Sequence, residues 1–115
     1  MAGNRRLSLK ARQAIEEPSA GIFVSAASAW EIATKFRLGK LPGAAAIVND
    51  IAATVASQAF SPLSVSVTHA QRAGALAGKH RDPFDRMLIA QAQTEGLVLV
   101  TNETLFEAYG VRRLW

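Results

Sequence analysis

The apolar positions of the chain fall into short unbroken runs that alternate with stretches of helical spacing. Leu7 to Glu16 carries Leu7, Ala11, Ala14 and Ile15 on one side of a short helix, and "EEPSAG" ends it. "GIFVSA", residues 21–26, is a β-branched run without polar alternation, the pattern of a buried strand. In "SAWEIATKFRLG", Ser28 and Glu31 stand at capping-box spacing. Trp30, Ala33 and Phe36 follow at helical spacing, and Gly39 supplies a stop. Beyond Pro42, Ile47, Ile51 and Val55 recur every four residues and predict a second helix through "AAAIVNDIAATVASQA".

The second half repeats this alternation. "LSVSV", residues 63–67, reads as a strand, and Thr68 with Gln71 gives another capping-box spacing at a helix start. A helix is predicted from Pro83, the first-turn position that proline prefers, to about Thr94, with Gly96 as its stop. "LVLVT", residues 97–101, is the clearest strand. "ETLFEAYG" predicts a short helix and "VRRLW" a last strand. Strands alternating with helices predict an α/β fold, a parallel sheet flanked by helices, and 115 residues suit a single domain.

Composition narrows the function classes. The chain has no cysteine, which excludes disulfides, zinc ribbons and thiol nucleophiles. No apolar run reaches the roughly 18 residues needed to span a bilayer. The opening "MAGNRR" lacks the apolar centre of a signal peptide, so a cytoplasmic protein is expected. Thirteen Lys and Arg against nine Asp and Glu give a net charge of +4, which favours a polyanionic partner.

Four carboxylates fall at predicted strand-to-helix junctions or helix starts, where sheets of this type bind ligands. Glu31 follows "GIFVSA", Glu103 lies two residues past "LVLVT", and Asp82 and Asp85 open the helix before that strand. Each has an ordinary alternative. Glu31 can complete a capping box, Asp82 can cap the helix that Pro83 begins, and Asp85 and Glu103 can be first-turn acids favoured by the helix dipole. Taken together they point to a hard divalent cation, because clustered carboxylates repel one another without one. Such a cation activates water and stabilises the oxyanions of phosphodiester cleavage. Lys79, Arg81 and Arg86 flank the two aspartates and suit a phosphate backbone. His80 has no metal-site spacing, His69 is expected near the surface, and Trp30 and Trp115 are expected to pack in the core or at its edge.

"VSAASAWEIATKFRLGKL", "HRDPFDRMLIAQAQTEG", "LVTNETLFEAYGV" and the closing "RRLW" resemble the VapC-type toxins of bacterial toxin–antitoxin systems, which are PIN-domain ribonucleases. The resemblance covers nearly the whole chain. It implies a cytoplasmic, Mg²⁺- or Mn²⁺-dependent endoribonuclease acting on RNA (tRNA among the candidates), a homodimer, and neutralisation by a cognate VapB-like antitoxin. It further implies that Glu31, Asp85 and Glu103 hold the metal, with Asp82 as the extra acid of a "DPFD" branch. Glu103 stands where many relatives carry aspartate, so its carboxylate reaches one methylene further.

Relatives also begin with a strand ending in aspartate, and nothing of the kind precedes "AGNRRLSLKARQAI". The resemblance therefore predicts a PIN-like sheet without its first, central strand. Two readings follow: an active endoribonuclease, or a catalytically impaired module that only binds antitoxin or RNA. A receiver-like α/β domain would need paired acids after its first strand and a lysine in a late loop, and neither is present.

Overall fold

Ser25 is the last residue of one element and the cap of the next, and it sets the architecture of its half of the chain. The computed structural model describes residues 8–17, 21–78, 81–101 and 104–115. Residues 21–64 form one compact unit; the described residues before position 21 and those from Val65 onward form another.

In the 21–64 unit, strand β1 (Phe23–Ser25) leads directly into helix α2 (Ala26–Arg37), and Ser25 Oγ accepts from the Ala27 amide at 3.0 Å. The helix thus begins three residues earlier than the Ser28 cap expected from the sequence. Two serines compete for the role, and the one at the strand end has the extended backbone (φ −69°, ψ 141°) that a cap requires. The other end of α2 is as expected. Gly39 (φ +75°) donates to Phe36 O at 3.0 Å and Lys40 donates to Lys35 O at 2.9 Å, which together make a Schellman ending.

The second helix expected here is interrupted. Pro42–Ala44 is a 3₁₀ turn and residues 45–49 are turns; only then does α3 (Ile51–Ser57) begin. Asp50 breaks the run, because its Oδ1 accepts from the Ala53 amide at 3.0 Å and so starts a new helix. Strand β2 (Ser61–Leu63) then pairs parallel with β1, Phe23 opposite Ser61 and Ser25 opposite Leu63. In this two-stranded sheet Phe23 remains half exposed, so β1 is less buried than its apolar run suggests.

In the other unit, α1 (Leu9–Glu16) is capped by Ser8, whose Oγ accepts from Ala11 N at 2.9 Å. Helix α4 (Val67–Ala75) packs against α5 (Pro83–Glu95). The strand expected over 63–67 is shorter and earlier, since Ser66 caps α4. The alternation that suggested a strand places Val65 and Val67 at exposed positions. Strand β3 (Leu99–Val100) pairs parallel with β4 (Arg113–Leu114), and the intervening Thr104–Tyr109 is a 3₁₀ helix.

The core of this unit is Ile89, Ala92, Phe106 and Val111, with Leu76, Leu97, Leu99, Leu105 and Tyr109 packed around them. It fixes one face of α5, the helix that carries both aspartates of interest. All of the described strand pairing is parallel, with helices between the paired strands, as an α/β fold requires. Among the described residues no helix is long and apolar enough to cross a membrane.

Candidate functional site

Because α2 starts at Ala26, Glu31 is its sixth residue and lies beyond the reach of any cap. The ordinary explanation for a glutamate at this point is removed, and its surroundings call for another. Glu31 is 5% exposed. Its Oε2 receives the Lys35 ammonium at 2.6 Å, one helical turn along. Its Oε1 is buried and has no hydrogen-bond partner among the described residues. A buried carboxylate oxygen without a partner carries an uncompensated desolvation cost, so native proteins leave few of them.

Asp82 and Asp85 belong to the other unit. Asp82 is the N-cap of α5: its Oδ1 accepts from Phe84 N at 2.9 Å and, at a longer 3.4 Å, from Asp85 N. Pro83 takes the first helical position, where no amide hydrogen is needed. Asp85 is the third helical residue and is 6% exposed. A dipole-stabilised surface acid stays in water, whereas this carboxylate is buried at the positive end of its helix.

The cap and charge of Asp82 separate by mutation. Asp82→Ser keeps a capping oxygen and is expected to hold the urea midpoint near wild type. Asp82→Ala is expected to cost about 1 kcal/mol. Loss of the RNA cleavage that the resemblance implies, in the serine variant at unchanged midpoint, would assign the charge to the site; unchanged cleavage would leave Asp82 as a cap.

Of the basic residues expected to meet RNA, Arg81 is exposed. Arg86 directs Nε to Ala73 O at 3.1 Å and Nη2 to Leu76 O at 2.5 Å, so it ties the end of α4 to α5. Those bonds commit Nε and Nη2 to backbone carbonyls and not to a phosphate. Lys79, His80 and Glu103 lie outside the described residues.

Three features depart from the sequence reading or were missed by it. Trp30, expected to be packed, is 62% exposed on α2 beside Glu31. His69, expected near the surface, is 2% exposed. Its Nδ1 accepts from the Ser66 amide at 3.0 Å while Ser66 Oγ accepts from the His69 amide, a reciprocal cap. With Nδ1 accepting, the ring hydrogen sits on Nε2, which donates to Glu95 Oε2 at 2.8 Å. The Ser-x-x-His spacing signals that cap, but Glu95, 26 residues on, could not be paired from sequence. Lys35 is the third feature, one that the sequence reading leaves out although Glu-x-x-x-Lys is a readable helical pair.

A hard divalent cation takes oxygen ligands, and each unit holds one buried acid of that chemistry: Asp85 in one and, in the other, Glu31, whose Oε1 has no partner among the described residues. Among the described residues no group of three or more His, Cys, Asp or Glu stands close enough to hold a metal. A comparison with curated proteins gave no match. The family model of the PIN domain matches residues 1–111, nearly the whole chain.

Proposed function

Since the chain belongs to the PIN domain family, whose members are generally metal-dependent nucleases, we propose that it is a VapC-type endoribonuclease. The observation that carries this reading is Glu31, a buried carboxylate in the second turn of α2 with one oxygen unpartnered among the described residues. Asp85, buried in the first turn of α5, supplies the second carboxylate, and Glu103 the third. When bound, Mg²⁺ or Mn²⁺ polarises water and stabilises the charge that develops on the phosphodiester. Asp82 holds the first turn of α5, and with it Asp85, in place. Arg81 and Lys79 attract the RNA backbone, in keeping with the net charge of +4.

By the same resemblance the protein acts in the cytoplasm as a homodimer silenced by a VapB-like antitoxin. The direct test is cleavage of a mixed RNA that includes tRNA, with Mg²⁺, with Mn²⁺ and with chelator. Cleavage that needs the metal and stops with chelator is the expected result. Folded protein that binds RNA with a steep salt dependence, yet cuts nothing with either metal, would reduce it to a binding module.

A further inference from the structure

We infer that Lys35 is a positioning residue for the metal site, holding Glu31 Oε2 so that Oε1 alone is presented to the cation. This rests on the reading of Glu31 as a metal ligand. The ion pair is 2.6 Å long and joins residues four apart on α2. Pairs at this spacing are common on helix surfaces, where both partners are hydrated and contribute little. Here the two ends differ. The Lys35 side chain is 44% exposed, whereas that of Glu31 is 6% exposed. The pair therefore reaches from solvent down to a buried acid, and the two oxygens of that acid are treated unequally: Oε2 is held and Oε1 has no partner among the described residues.

A carboxylate can take a cation with one oxygen or with both, and the choice alters both geometry and affinity. With an ammonium on Oε2, Glu31 binds through Oε1 alone, and its rotamer is fixed before the cation arrives. Outer partners of this kind hold ligating carboxylates in place, and losing one typically lowers metal affinity or activity by about 10- to 100-fold.

An opposite effect must be weighed, since the ammonium also repels the cation. Nearly half of the Lys35 side chain is in water, which screens that repulsion. The buried Glu31 has no such relief if its partner is removed, because it is left as an unpaired charge in a dry site. Orientation and compensation therefore outweigh repulsion, which sets the sign of the expected result.

The test is calorimetric titration of the whole chain with Mn²⁺, for wild type, Lys35→Met, Lys35→Arg and Glu31→Gln, with thermal melts and RNA kinetics beside it. Lys35→Met is expected to weaken Mn²⁺ binding about tenfold or more. It should lower kcat with little change in the KM for RNA. Lys35→Arg, which restores a cationic donor, should recover most of the affinity. A merely structural lysine would shift the melt and leave affinity alone. If the methionine variant fails to fold, Lys35→Gln, with a neutral donor on a shorter stem, serves in its place and should also bind Mn²⁺ more weakly. Unchanged or tighter Mn²⁺ binding by the Lys35 variants, with Glu31→Gln weakened, overturns the role of Lys35 alone. Unchanged binding by Glu31→Gln overturns the metal-ligand reading of Glu31, and the inference with it.

Discussion

Asp85→Asn is expected to abolish metal-dependent RNA cleavage while the protein stays folded. A bound divalent cation contributes several kcal/mol of charge stabilisation in reactions of this type, and each 1.4 kcal/mol or so is a factor of ten in rate. Replacing a ligand carboxylate by a neutral amide of the same shape should therefore slow cleavage by on the order of a hundredfold or more. The fold has less to lose. The start of α5 is secured by the Asp82 cap and by Pro83, both untouched. The favourable placement of an acid in the first turn contributes only about 0.3–1 kcal/mol. The measurements are initial cleavage rates at saturating Mg²⁺ and Mn²⁺, and a urea midpoint by circular dichroism. Full cleavage by a folded variant would place Asp85 outside the chemistry.

Phe106→Ala is expected to produce the largest loss of stability of any substitution considered. Phe106 is fully buried, and it packs in one cluster with Ile89, Ala92 and Val111. Truncating such a ring removes its transfer energy and leaves a cavity, at a cost of about 3–5 kcal/mol. Natural domains have only some 5–15 kcal/mol in hand. For a chain of this size the change corresponds to a fall in Tm on the order of 15 °C. The same change should lower cleavage at moderate temperature, because Ile89, which shares the cluster, lies one helical turn beyond Asp85 on α5. A thermal melt followed by circular dichroism decides the matter, and a shift of only a few degrees would mean that the core does not depend on this ring.

Where local chemistry decided the structure, the sequence was readable. Pro83 and Gly96 bracket α5 because one lacks an amide hydrogen and the other takes a left-handed backbone at φ +67°. Gly39 ends α2 for the second of those reasons. Reading failed where two local signals of the same kind competed. Ser25 and Ser28 are both adequate caps, and only the strand before Ser25 selects it. Ser66 and Thr68 posed the same choice, which the imidazole of His69 settled. The unbroken helix expected after Pro42 gave way to Asp50, a residue whose side chain rewards the backbone for leaving a helix and starting another.

The candidate site was readable in residue type more than in role. Glu31 stands out in the sequence as an acid, yet the capping box that is its ordinary alternative is absent, because Ser25 and not Ser28 caps α2. Its pairing with Lys35 follows from helical spacing whichever serine caps α2, whereas its burial depends on how the helix packs within its unit, which no local pattern gives. Trp30 was misjudged because apolar content predicts burial only on average, and a single exposed ring is common on folded surfaces. The tie between His69 and Glu95 joins α4 to α5 across a gap in sequence that no local pattern spans.

The double duty of Ser25 leaves no spare residue between strand and helix, so β1 acts as an index for the rotation of α2. Each residue of an α-helix advances the side chains by about 100°. One residue inserted directly after Ser25 would therefore turn the rest of the helix on its axis and lengthen it by one residue, while leaving its cap in place. Trp30 would come round to the buried place now held by Glu31, and Glu31 would turn out of it. A spacer of a single amino acid at this joint thus exchanges a carboxylate for an indole, and the strand end, as much as the acid itself, decides which side chain this half of the chain buries.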